Sequence, residues 1–110
     1  MSSIFAKIIE KELPADILFE NEHVIVIHDI HPVAPVHVLI IPKKEISSIQ
    51  FLKGDEMYLM KEIIVAAQEV AALLELTDYR LITNNGSLAG QSVFHLHFHL
   101  IGGRKLGILG

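Results

Sequence analysis

Apolar residues recur along this chain with two periods, and the change from one to the other divides it into elements. Over residues 3–12, Ile4, Phe5, Ile8 and Ile9 stand at helical spacing behind Ser3, a residue suited to cap a helix start. A short amphipathic helix is therefore expected to end before Pro14. Residues 17–20 and 23–29 read as two strands around the turn-prone Asn21, the second rich in Val and Ile, and together predict a hairpin. Pro32 and Pro35 cannot continue a central strand, because proline has no ladder donor, and residues 37–41 resume as a strand stopped by Pro42. Residues 43–53 form a polar connector with room for a short helical turn.

The long helix is expected over residues 55–76. Asp55, Glu62 and Glu69, with Lys61, Gln68 and Glu75 beside them, recur at a heptad spacing and make a narrow polar stripe, while nearly all other positions are apolar. That is more apolar surface than one side of a sheet hides. The helix is expected to pack its own sheet on one side and a second copy of the protein on the other. Cover by its own chain is the alternative, for which so small a domain has little material. A fourth strand over 79–83, a glycine-containing loop over 84–92 and a fifth strand over 93–101 complete the pattern. The expected fold is α+β: an antiparallel five-stranded sheet, one short N-terminal helix and one long helix. With 110 residues, the chain reads as one domain, 1–110.

Composition narrows the function classes. Charged residues and histidines break every apolar run well short of the roughly 20 residues that a membrane span needs. The N-terminal stretch lacks a basic start and a long apolar middle, so no secretory signal is expected. With no cysteine there is neither a disulfide framework nor a thiolate metal site, which favours the cytoplasm. A net charge of −4 argues against broad nucleic-acid binding, which relies on clustered Lys and Arg, so any phosphate recognition has to be local. Seven histidines are the unusual feature.

Three of them alternate in His95-Leu96-His97-Phe98-His99. On a strand they would project from one face, roughly 7 Å apart, while Leu96, Phe98 and Leu100 enter the core on the other. Packing alone is a poor reason for such an array, since each imidazole needs polar partners and Val or Thr builds a strand better. Two functional readings remain. Imidazoles at this spacing can ligate zinc; they can also supply a nucleophile and an acid or base near neutral pH. The preceding loop, Asn84 to Ser92, favours the second. It offers amide, hydroxyl and backbone N–H groups for an anionic phosphate oxygen, and no carboxylate to orient a metal-bound imidazole.

The stretch from His95 to Ile101 resembles the His-x-His-x-His-x-x signature of the histidine triad (HIT) superfamily. The match continues through Gly90-Gln91-Ser92-Val93 and Gly102-Gly103-Arg104. Further agreement lies in Ile4-Phe5-Ala6-Lys7-Ile8-Ile9, in His28-Asp29-Ile30 with Pro32 and Ala34-Pro35, and from His37 to Lys44. The chain is most similar to the Hint branch, the nucleoside phosphoramidases. The resemblance implies a HIT-like sheet continued across a homodimer, no cofactor and no metal. It further implies hydrolysis of a purine nucleoside phosphoramidate, an AMP or GMP amide, through a nucleotidyl-histidine intermediate. His97 would be the nucleophile; His99 would contact the phosphate and assist the leaving group; His95 would help orient His97; His37 would be a fourth catalytic histidine. Gln91 and Ser92 would bind the phosphate and leaving-group region, Asn84 would lie near ribose and phosphate, and Asp29 would accept both ribose hydroxyls. Ile4, Phe5, Ile8 and Ile27 would form the base pocket, although each is also ordinary core material. The chain departs from the Trp-Pro-Pro-Gly-like Hint ending with Leu106-Gly107-Ile108-Leu109-Gly110, which leaves selectivity for the amine open. Rival readings are a dinucleoside polyphosphate hydrolase of the same superfamily and a non-catalytic zinc-binding or adaptor protein.

Overall fold

The computed structural model describes residues 3–109; of the unusual C-terminal tail, Gly110 lies outside the described residues. The first helix, α1 (Ile4–Ile9), is capped by Ser3, whose hydroxyl oxygen accepts a hydrogen bond from the Ala6 N–H at 3.0 Å. It stops short of the expected Glu12 because Lys11 turns to a positive φ of 64°. Strands β1 (Ile17–Glu20) and β2 (Val24–His28) form the expected hairpin. Its turn is held by Asn21, whose side-chain oxygen accepts from the His23 and Val24 N–H groups at 2.8 and 2.9 Å. Strand β3 (Val36–Pro42) follows the proline segment.

The connector contains a single 3-10 turn at Ile49–Phe51, and a second at Gly54–Glu56 leads into α2 (Tyr58–Leu73). Glu56 closes that entry: its carboxylate accepts from the Lys53 N–H at 2.9 Å and pairs with Lys44 at 2.8 Å. The long helix is thus shorter at both ends than its apolar pattern, and Glu75, at φ 57°, terminates it. Strands β4 (Tyr79–Ile82) and β5 (Phe98–Gly102) complete a five-stranded antiparallel sheet in the order β1-β2-β3-β5-β4.

Both sheet faces are covered. Against one lies α2, whose Leu59, Ile63, Ala66, Ala67 and Val70 pack on Val24, Val26, Val38, Ile40, Leu96, Phe98 and Leu100. Against the other lies α1, whose Phe5 and Ile8 pack on Ile25, Ile27, Leu39 and Ile41. The central strands therefore read as near-continuous apolar runs, and His37, His95, His97 and His99 lie on the α1 side. No helix among the described residues is long and apolar enough to cross a membrane.

Candidate active site

The expected fifth strand began at residue 93, but regular pairing begins only at Phe98. Residues 91–97 run irregularly into the sheet, held by other bonds: Leu96 N–H to the Ile46 carbonyl, and the Thr83 hydroxyl to the His97 carbonyl at 2.7 Å. Leu96 still enters the α2 core, so the alternation of faces survives without a ladder. Its consequence differs from the expectation of three imidazoles on one open surface. His95 is completely buried, His97 nearly so, and His99 only partly.

The bonds of each ring assign its proton. A carbonyl can only accept, so the His95 Nε2, 2.8 Å from the Pro42 oxygen, carries hydrogen. Its Nδ1 is then an acceptor and receives the Ser3 hydroxyl at 3.1 Å. By the same argument the His97 Nδ1–H donates to the backbone carbonyl of His95 at 2.7 Å, which leaves the lone pair on Nε2. It is the main chain of His95, and not its ring, that turns His97. The His37 Nδ1 accepts from the Val33 N–H at 3.1 Å, so its Nε2–H donates to the His99 Nδ1 at 2.9 Å, and the His99 hydrogen sits on Nε2. A lone pair on His97 and an N–H on His99 therefore stand side by side, with ring centres 5.2 Å apart.

Burial is the first cause that lowers the His97 pKa below the ordinary histidine value. For His99, burial followed by the neighbouring His97 and His37 rings pushes the value down to about 4. Both shifts favour the neutral ring, in keeping with the proton assignment above.

Asp29 follows β2 and lies beside this group. One of its oxygens accepts from the His31 N–H at 2.7 Å and the other is 3.4 Å from the His37 Nε2. Asp29, His37 and His99 are also the described residues whose donor atoms lie close enough together to hold a metal ion. A metal on the His37 Nε2 would need hydrogen on Nδ1, where the Val33 N–H already points, so the present bonding is an oriented hydrogen-bond chain from Val33 through His37 to His99.

The loop from Asn84 turns through Gly86 and Gly90, at φ 94° and 106°, conformations that glycine adopts without strain. Gln91 is buried inside it. Its amide hydrogens go to the carbonyls of Ser47 and Val93 at 2.7 and 3.1 Å, and its oxygen accepts from the Gly86 N–H at 2.8 Å. Gln91 therefore shapes the loop, whereas Ser92 is exposed and Asn84 half-buried next to Gly90. Of the four residues expected to line a base pocket, Phe5, Ile8 and Ile27 share the α1-side cluster, while Ile4 is half-exposed. The Phe5 ring meets His97 edge-on, with centres 4.9 Å apart. A cleft of about 630 Å³ lies elsewhere, between the end of α2, β4 and the tail, and is lined by no histidine.

Ser3, the Val33 amide, the Pro42 carbonyl and Thr83 escaped the sequence reading as parts of the site. Ser3 carried only a capping signal, and the others no signal at all, because their partners are distant along the chain or lie in the backbone.

Residues 10–106 match the family model of the HIT domain. The chain is 50% identical over 108 residues to a HIT-like protein of Chlamydia pneumoniae, covering 97% of this chain and 98% of that one. Its structure is similar to that of a HIT family hydrolase from Clostridium thermocellum, with a TM-score of 0.95 and 48% identity over 98% of this chain and 96% of the other. A histidine triad protein from Clostridium difficile gives a TM-score of 0.95 at 37% identity, over 100% of this chain and 97% of the other.

Proposed function

The chain belongs to the HIT domain family, and from that premise we propose that it is a hydrolase of purine nucleoside phosphoramidates, working through a covalent nucleotidyl-His97 intermediate. The observation that carries this reading is the fixed tautomer of His97: Nδ1–H is held by the His95 carbonyl, so the Nε2 lone pair is free to attack the α-phosphorus. Bond formation at Nε2 makes the ring cationic, and the same carbonyl stabilises that charge. As the P–N bond breaks, the leaving nitrogen takes a proton from solvent and departs as the amine, while the His99 Nε2–H hydrogen-bonds the phosphate and leaving-group side without being transferred. Water then attacks the phosphorus, releasing the nucleoside monophosphate and restoring His97. Ser92, Asn84 and loop amides meet the phosphate, Asp29 the ribose, and Phe5, Ile8 and Ile27 the base.

In this reading the protein works in the cytoplasm as a homodimer. Support for the dimer comes from the outward side of α2, where Ile64, Val65 and Leu73 are exposed, and from β4, which ends the sheet among the described residues.

Incubation with an adenosine phosphoramidate carrying a fluorescent amine, in the presence of a chelator, is expected to release the amine and AMP. Each displacement inverts phosphorus, so a chiral phosphorothioate analogue should show net retention. Net inversion would point to direct attack by water and sink the covalent step. No release, with cleavage of diadenosine polyphosphates, would move the protein to the rival hydrolase.

Asp29→Ala is expected to weaken AMP binding about tenfold or more, and 2′,3′-dideoxy-AMP binding much less, since a charge-assisted hydrogen bond is lost only with the first ligand. Calorimetric titration of both ligands decides; equal losses would remove Asp29 from the ribose site.

The pH profile follows from the lowered values of His97 and His99. A lowered pKa keeps the lone pair unprotonated over a wider range, so kcat/KM should stay flat through neutral pH. It should fall only in acid, with a midpoint below 6.5. An acid limb centred at 6.5 or higher would contradict a buried nucleophile.

A further inference from the structure

Ser3 stands at a junction of three structural features. Its hydroxyl oxygen accepts from the Ala6 N–H at 3.0 Å, which caps α1. The same hydroxyl lies 3.1 Å from the His95 Nδ1, across 92 residues of sequence. The His95 ring in turn reaches the Pro42 carbonyl at the end of β3, and its backbone carbonyl holds the His97 Nδ1–H. The chain of bonds has one direction: Ala6 N–H to Ser3, Ser3 O–H to His95, His95 Nε2–H to Pro42. With Ser3 in place no part of His95 reaches solvent, and the hydroxyl is the Nδ1 partner.

We propose that Ser3 is a positioning residue for the nucleophile: by fixing the His95 ring it holds in place the His95 main-chain carbonyl that keeps hydrogen on the His97 Nδ1 and leaves Nε2 free. The role requires a side chain that accepts from Ala6 and donates to His95 at the same time. Serine and threonine do both, aspartate only accepts, and glycine does neither. Phe5, two residues further along α1, touches the rings of both His95 and His97, with centres 6.3 and 4.9 Å apart. Cap, helix and nucleophile thus form one packed unit. The functional significance rests on His97 being the nucleophile, while the hydrogen-bond chain itself does not.

The test compares Ser3→Gly, Ser3→Asp and Ser3→Thr with the wild type. Glycine replaces serine at a cap position at little cost and aspartate caps as well as serine, so α1 stays formed, as amide NMR spectra will show. Long-range ¹H–¹⁵N imidazole spectra of the free protein report the His97 tautomer, and the fluorogenic amide reports kcat and KM. In Ser3→Gly and Ser3→Asp, the His97 signals should become a mixture of tautomers and kcat should fall about tenfold, with KM changing less than kcat. Ser3→Thr should restore both readouts. An unchanged His97 tautomer in the glycine and aspartate variants would overturn the proposal, as would failure of threonine to restore it. If the wild type does not cleave the amide, the phosphoramidate reading fails, and the imidazole spectra still decide the role of Ser3.

Discussion

Replacing His97 by alanine is expected to lower turnover of an adenosine phosphoramidate at least about 10³-fold while the protein stays folded and still binds AMP. The nucleophile in a covalent mechanism cannot be replaced by its neighbours, so its removal abolishes the pathway instead of weakening it. His99 does not serve as a substitute, because its Nδ1 already accepts from His37 and its Nε2 carries hydrogen. The fold should survive, since the neighbours of His97 in sequence, Leu96 and Phe98, hold the segment from the α2 side of the sheet. His97→Gly and His97→Asn should behave like the alanine variant. The check is steady-state turnover beside circular dichroism and AMP titration; turnover comparable to the wild type would end the covalent reading.

Leu100→Ala is expected to destabilise the protein by about 2–5 kcal/mol, the range for removing a fully buried leucine from a core. Leu100 has no exposed surface, pairs across the sheet with Val38 and Leu81, and belongs to the cluster under α2. Its neighbour His99 leaves the same strand on the opposite face, so the core on one side supports the chemistry on the other. In thermal denaturation a drop of roughly 10 °C or more should appear. A change of only a degree or two would mean that the site collapses without leaving a cavity, and that β5 is not held as its burial indicates.

Much of the architecture was legible in the order of residues because local rules were enough. Ser3 before an apolar helical spacing marked a helix start, Asn21 between two Val- and Ile-rich runs marked a hairpin, and the heptad recurrence of polar residues from Asp55 marked the long helix. The alternation of His95, His97 and His99 with Leu96, Phe98 and Leu100 marked both the candidate chemistry and the face turned to the core. Element ends were less legible. The positive φ of Lys11 and Glu75 left no mark in the residue pattern, because the bonds that close those helix ends, such as Glu12 N–H to the Lys7 carbonyl and Leu76 N–H to the Ala71 carbonyl, use backbone groups that nearly every residue carries; residues 93–97 approach the sheet without pairing in it because their bonds come from elsewhere in the chain.

What the sequence determined by itself was therefore which side chains share a face, since that depends only on the two-residue and 3.6-residue periods of the backbone. What each histidine can do was decided by tertiary structure alone. A proton sits on one ring nitrogen or the other according to the partner it meets, and those partners, the Pro42 and His95 carbonyls, the Val33 amide and the Ser3 hydroxyl, are brought in by other elements or by the main chain. Three identical residues in a regular pattern thus become a buried anchor, a candidate nucleophile and a hydrogen-bond donor, because each meets a different set of neighbours.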